Sequence, residues 1–499
     1  MKRLSEATLD ALPPEVARPA YDRTACGIGI VHLGIGAFHR AHQAVYTDDV
    51  LARHAASKEH RDWAIHGVSL RGPGVRDQLA PQNALYCVAE RGPGEEKLRV
   101  VGAVKAVTFA PESPEALIER MAAPQTRIVS LTVTEKGYCH DPASGRLRPD
   151  HPDITHDLAN PTRPRSVPGL LIAALAARRA AGAGPFTVLT CDNLPHNGRL
   201  LRGLVLEMAA AADPALAEWI ENEARFPATM VDRIVPATTQ EDLDRAAQRL
   251  GLRDEGLVVA EPFRQWVIED DFAVARPPWE EAGAQLVRDV APYEEMKLRL
   301  LNGSHSLMAY LGYLAGFETI SEAIADADFR VLVRAFMDRE AGPTLTLPAD
   351  ADLEGYKSAL IERFANPGLK HRTWQIAMDG SQKLPQRLLA PLRQRLAAGA
   401  PFDILALAVA AWMRYVGGRD ETGAEIDVRD PLAARLGAAC AAGGDPAGMV
   451  RNLLETREIF DEDLAADPRL REALTAALDS LITRGSRATV AATLRKLES

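Results

Sequence analysis

The chain has 499 residues, 47% hydrophobic and 25% charged, with a formal net charge of −10. That length exceeds one ordinary core, so two domains are expected; the composition is that of a globular enzyme, and the negative balance without a basic block argues against a nucleic-acid surface. Cys26, Cys87, Cys139, Cys191 and Cys440 are scattered and form no C-x-x-C pair, so a reduced cytoplasmic setting without a metal or redox motif is expected. The first residues lack the apolar core of a signal peptide and no later run approaches a membrane span, which leaves small molecules as the favoured partners.

In chain order, five β-branched runs alternate with helical segments: "GIGIVHLG", "WAIHGVSLR", "RIVSLTVT", "FTVLTCDN" and "GLVVAEPF". This is the pattern of a parallel sheet covered by helices, an α/β doubly wound fold. Two further runs, "ALYCVAERG" and "KLRVVGAVKAVTF", flank the turn "GPGEE" and read as an inserted antiparallel hairpin. Beyond about residue 290 the texture becomes alanine- and leucine-rich and amphipathic, as in "DADFRVLVRAFMDREA" and "ILALAVAAWMRYVGG". The expected division is a Rossmann-type domain over 1–288 and a mostly helical domain over 289–499.

The first strand runs into "LGIGAFHRAH". Gly34 permits a tight turn, Gly36 lets backbone approach a pyrophosphate, and the following helix start offers unpaired N–H groups to phosphate. Ala37, Phe38, His39 and Arg40 complete the candidate cofactor turn. His39 occupies the place of a third glycine, so either the turn is more open or the ring enters the pocket; a plain strand-to-helix corner with a satisfied histidine is equally compatible with this motif alone. Arg40 can contact phosphate or lie in solvent. His39 and His42 are three apart, but no nearby carboxylate or cysteine completes a ligand set, so no metal is expected.

The second strand ends "VSLRGPGVRD", with Arg71 where a ribose-binding acid normally stands and no acid before Asp77. NAD is favoured, while Arg71 keeps a 2′-phosphate, and thus NADP, open. After a later buried strand, "TCDNLPHNG" places Asp192 and Asn193 at the carboxyl edge where such sheets bind ligands; a turn-forming Asp-Asn is the competing reading. "TMVDRIVP" sets Asp232 beside Arg233, as a structural ion pair or a substrate contact.

"YEEMKLRLLNGSH" concentrates polar chemistry on an apolar segment. On an α-helix Lys297, Asn302 and His305 span an arc of about 140°, enough to line one cleft wall; an exposed stripe broken at Asn302-Gly303 is the alternative. Reduction of a ketone needs a proton donor and dipoles for the developing alkoxide. A buried lysine can titrate in the useful range, and amides such as Asn302 and Asn193 can bind the oxygen.

Together "GIGAFHRAHQ", "SLTVTEKGY", "TCDNLPHNG", "FPATMVDRIVP", "EPFRQWVIED", "MKLRLLNGSHS" and "MDGSQKLPQR" resemble the polyol-specific long-chain dehydrogenase/reductase family, over nearly the whole chain. The resemblance implies a metal-independent NAD(P)-linked enzyme with its active site between the domains. It implies Lys297 as acid/base, Asn193 and Asn302 at the reacting oxygen, His305 positioning the substrate, and Asp232 and Lys383 contacting it. Glu294 or Glu295 would pass the proton onward. "HRTWQIAMDGSQKLPQR" and "TEKGYC" look most like the fructuronate reductase branch, with Arg372, His371 and Lys383 as candidate carboxylate contacts, although Arg372 on a surface helix is equally simple. The expected reaction is D-fructuronate to D-mannonate. The alternatives are D-mannitol oxidation to D-fructose, tagaturonate reduction, and, from another class, a catalytically silent NAD-binding regulator.

Overall fold

The computed structural model describes residues 1–57, 59–141, 144–349, 351–369 and 371–498, which form two compact units, Met1–Ala291 and Pro292–Ser499. The strands of the first unit are β1 Ile28–Leu33, β2 Ala64–Ser69, β3 Tyr86–Arg91, β4 Glu96–Val101, β5 Val104–Phe109, β6 Ile128–Leu131, β7 Thr187–Thr190, β8 Thr229–Asp232, β9 Val258–Ala260, β10 Gln265–Glu269 and β11 Gln285–Val287. Five make one parallel sheet in the order β5-β2-β1-β6-β7.

Successive residues of β1 serve opposite faces: Ile30 joins Ile65, Ile128, Val45 and Trp63 on one, and Val31 and Leu33 join Val129, Leu131, Leu171 and Met208 on the other. Burial on both faces is why these strands read as continuous apolar runs. The order reverses at β1 and β6, and the crevice at the carboxyl ends of these two strands is the usual ligand position in such sheets.

Two of the expected strands pair differently. "KLRVVGAVKAVTF" is not one hairpin arm: β4 pairs antiparallel with β3, then the chain turns at Gly102 and β5 joins the main sheet beside β2. The turn is set by Asp48, whose Oδ1 accepts the amides of Gly102 at 2.8 Å and Ala103 at 3.1 Å. A Cβ on Gly102 would come 2.6 Å from Pro19 Cγ, so only glycine fits. "GLVVAEPF" supplies β9, which pairs parallel with β3 outside the main sheet. Asp48 also accepts Tyr21 Oη at 2.7 Å and pairs with Arg99 at 2.8 Å. Asp48→Ala should therefore lower the unfolding free energy by about 3–5 kcal/mol, read as a lower urea midpoint; a loss below about 1 kcal/mol would show that the turn holds without it.

The second unit is helical. Asp403–Val416 is buried almost all round and packs against Gly303–Leu314 and Pro468–Arg484, as expected of a helix apolar on every face. Three segments, Lys297–Asn302, Phe336–Ala341 and Pro385–Leu389, are π-helical. Among the described residues, no helix is long and apolar enough to cross a membrane.

Candidate active site

At the glycine turn the two glycines do different work. Gly34 has φ +90°, and a Cβ there would fall 2.2 Å from the Thr132 carbonyl oxygen, so the tight turn requires it. A Cβ on Gly36 would meet nothing nearer than Gly34 O at 3.9 Å, projecting into open space beside an exposed backbone. This bare stretch of chain is where a pyrophosphate can approach. The helix that follows is short, Ala37–Ala41, and bends at His42 into Gln43–Arg53.

His39 is 1% exposed, which corrects the expectation that it lines the pocket. Its ring stacks on His32 with centroids 3.3 Å apart and planes 14° apart. The Ser130 hydroxyl at 2.8 Å and the Thr132 hydroxyl at 2.9 Å hold His32 in turn. Burial first, then the neighbouring His32, pushes the His39 pKa well below normal. Gln43 lies close, but neither His39 nitrogen closes a hydrogen bond. Two flat rings thus achieve the close helix-to-sheet approach that a third glycine would otherwise permit.

Arg40 takes neither expected place. Its guanidinium is buried, bonds to the Gly256 carbonyl and lies 5.4 Å over the Tyr86 ring, while Tyr86 Oη donates to the Arg40 carbonyl at 2.8 Å. A buried guanidinium needs acceptors; the Gly256 carbonyl is one, while Arg40 Nε is buried with none. Phe38 stacks on His42 at 5.0 Å and Ala37 is half-buried against the same core. Arg71 is exposed and reaches from the end of β2 to Thr134 Oγ1 at 3.1 Å.

Asp192 anchors rather than turns the chain. Its buried carboxylate accepts Val133 N at 3.0 Å, Thr134 N at 2.9 Å and Tyr138 Oη at 2.8 Å, and burial raises its pKa. These bonds hold Thr134 at φ +64°, a conformation that β-branched residues seldom adopt and that recurs at functional sites. The signal in the sequence was "TEKGY" meeting "TCDN" across adjacent strands. Asn193 follows in an exposed position at the carboxyl edge, and Asp232 is buried at the end of β8. Arg233 is occupied by the Glu90 carboxylate at 2.6 Å and the Glu261 carbonyl at 2.9 Å. Cys139, His151 and Asp153 bring ligand atoms within 4.8 Å of one another, but His151 Nδ1 already accepts the Asp153 amide at 3.2 Å, so helix capping accounts for that cluster.

In the second unit the lysine segment is one continuous helix. Ala291–Met296 passes into the π turn Lys297–Asn302 and on into Gly303–Leu314, with helical backbone at Asn302 and Gly303 and no break between them. Bonds from i to i+5 take more residues per turn than an α-helix. Asn302, five positions after Lys297, therefore comes round closer to the lysine's own face than 3.6-residue spacing predicts. Lys297 is buried and Asn302 half-buried.

His305 is buried, with its ring 5.2 Å from His371 in an edge-on arrangement and 4.8 Å from Phe364. Its Nε2 has no hydrogen-bond partner. Burial, then the charges of His371, Arg387, Arg363 and Lys383, holds its pKa well below normal. Lys383 is pushed down to about 8 by burial and then by Arg387; its Nζ donates to the carbonyls of Ile376, at 3.3 Å, and Met378. Arg387, lowered to about 10 by burial, donates to Ser306 Oγ at 3.3 Å and makes no ion pair among the described residues.

Arg372 is the correction here: its side chain is 62% exposed and faces Glu318 at 3.6 Å. Residue 372 bridges Thr319 in extended conformation, and consecutive side chains of extended backbone point to opposite sides. His371 accordingly turns inward and Arg372 outward. Arg387 and Arg363 stand in the basic group instead; "QKLPQR" carried the first in plain view, whereas the second sits inconspicuously in an amphipathic helix, Leu353–Phe364. Of the two glutamates before the lysine, Glu295 pairs with Arg299 at 3.2 Å. Glu294 stands three positions before Lys297, the spacing that shares a helix face.

Residues 28–281 match the mannitol dehydrogenase Rossmann domain and residues 289–482 the mannitol dehydrogenase C-terminal domain. D-mannonate oxidoreductase of Escherichia coli (strain K12) is 50% identical over 481 residues, covering 96% of this chain and 98% of that protein. A mannitol 2-dehydrogenase of Phaeosphaeria nodorum is 42% identical over 481 residues, 95% of this chain and 83% of that one. The structure of Pseudomonas fluorescens mannitol 2-dehydrogenase, a ternary complex with NAD and D-mannitol, matches with a TM-score of 0.86 at 40% identity, over 99% of this chain and 100% of that one. D-sorbitol dehydrogenase in substrate-free form matches with a TM-score of 0.90 at 35% identity, over 98% and 100% of the two chains. This chain belongs to the mannitol dehydrogenase family of oxidoreductases.

Proposed function

We propose that the protein is an NAD(H)-linked oxidoreductase that interconverts D-fructuronate and D-mannonate. The observation that carries this reading is the set of basic groups around His305: Arg387, Arg363, Lys383 and His371 surround a neutral imidazole whose Nε2 lacks a partner. Arg363, Arg387 and Lys383 bring like charges near one another, and Arg387 makes no ion pair among the described residues, so the arrangement favours an anionic substrate over a neutral polyol. The unpaired Nε2 suits a sugar hydroxyl, since a buried polar atom without a partner in the protein is met by a ligand or water.

The bare backbone at Gly36 fits a dinucleotide pyrophosphate. NAD(H), when bound, supplies or accepts the hydride at the carbon bearing the oxygen. In the direction of reduction Lys297 gives its proton to that oxygen and Asn302 donates a hydrogen bond that favours the developing alkoxide. Lys297 is then neutral and regains a proton by way of Glu294. Asn193 and Asp232 keep the roles that the family resemblance implies, an oxygen contact and a hydroxyl contact.

Initial rates with NADH and NADPH against fructuronate, fructose and tagaturonate test this reading. A clear preference for fructose would replace it with mannitol 2-dehydrogenase activity, and one for tagaturonate would keep the acid but change the stereochemistry. Lys383 adds a pH test. With its pKa near 8, it is charged below that pH and loses its charge above it. The KM for the uronate should therefore rise between about pH 7.5 and 9 while the KM for fructose stays level, and Lys383→Met should flatten the rise. Parallel curves for both substrates would remove Lys383 from the carboxylate contact.

A further inference from the structure

We propose that Gly303 is a positioning residue: its missing side chain lets the π turn Lys297–Asn302 seat against the two other π turns, and this seating sets where Lys297 and Asn302 stand relative to each other. The proposal rests on the roles given to those two residues above.

π-helical turns make up well under about 1% of residues in globular proteins and recur at functional sites. Among the described residues three occur in the second unit, and Lys297–Asn302 packs against both Phe336–Ala341 and Pro385–Leu389. The meeting point is Gly303. A Cβ there would lie 3.0 Å from Phe336 Cζ and 3.2 Å from the Arg387 carbonyl oxygen. Phe336 opens the second π turn and is fully buried; Arg387 lies within the third. The Arg387 side chain adds a second tie three residues along, to Ser306 Oγ at 3.3 Å.

Gly303 has ordinary helical backbone, φ −63° and ψ −49°. It is therefore not needed for a conformation closed to other residues, and inside a helix it costs about 1 kcal/mol relative to alanine. Space is the remaining reason. A methyl group there needs the Phe336 ring, the Arg387 carbonyl or the helix itself to give by a few tenths of an ångström, and a branched side chain needs more. The displacement falls on Asn302, the adjacent residue, and on the turn that orients Lys297. A misplacement of about 1 Å can cost about a hundredfold in rate.

The test compares Gly303→Ala, Gly303→Val and the double variant Gly303→Ala/Phe336→Leu in the full chain, with fructuronate and NADH. Gly303→Ala should lower kcat about tenfold and Gly303→Val about a hundredfold or more, with KM and NADH affinity each within about threefold of wild type. Shortening Phe336 should restore most of the activity of the alanine variant, which a general loss of stability would not do. Wild-type kcat in Gly303→Ala overturns the proposal, as does a folded double variant, judged by its melting temperature and NADH binding, that remains as slow as the single one. Lys297→Ala, assayed alongside, separates two failures. If it stays active, the catalytic reading itself falls; if it is inactive while Gly303→Ala is unaffected, only the positioning role falls.

Discussion

Replacing Lys297 with alanine is expected to lower kcat for ketone reduction by about 10²–10⁴-fold, the range for loss of a general acid, while NADH still binds. The expectation follows from placement. Lys297 is buried at the start of a π turn, with Asn302 brought round toward its face and Glu294 three residues before it. Because the cofactor turn belongs to the other unit, around Gly34 and Gly36, removing an amine from the helical unit leaves that turn intact. Fluorescence titration with NADH and single-turnover reduction check the two halves of the statement. Turnover within about tenfold of wild type would exclude Lys297 as the proton donor.

Arg387→Met should raise the KM for fructuronate by about 10–100-fold, the worth of about 1.4–2.7 kcal/mol lost from a charge-assisted hydrogen bond, and raise that for fructose much less. Arg372→Ala should leave both within about twofold. The contrast is drawn from exposure and partners. The Arg372 side chain is 62% exposed beside Glu318, where solvent screens it. Arg387 is pushed down to about 10 by burial, has Ser306 Oγ at 3.3 Å and lies close enough to His305 to depress its pKa. Equal effects of Arg387→Met on acid and neutral ketose would assign Arg387 to the frame of the site and not to the carboxylate.

Much of the fold was legible because burial leaves a local trace. Four of the five β-branched runs are strands of the central parallel sheet, and the change of texture near residue 290 marks where helices take over. Gly34 and Gly36 announced their turn because tight turning and close approach of backbone are properties of the residue itself. Lys297, Asn302 and His305 stood out because polar groups amid leucine and methionine need a reason.

Other outcomes depended on partners distant in sequence, and no local pattern encodes them. β5 left the hairpin because Asp48 captures the amides of Gly102 and Ala103. His39 went inward because His32, with Ser130 and Thr132 behind it, offers a flat surface to stack on. Arg40 is spent on the Gly256 carbonyl, more than 200 positions away. A single step of extended chain sent His371 in and Arg372 out, and the π turn added residues to a helix whose α-helical period had been assumed. The sequence by itself determined which segments are buried and which residue types are chemically able; the tertiary structure alone decided where each polar side chain spends its hydrogen bonds, because a buried donor or acceptor must find a partner wherever the fold brings one.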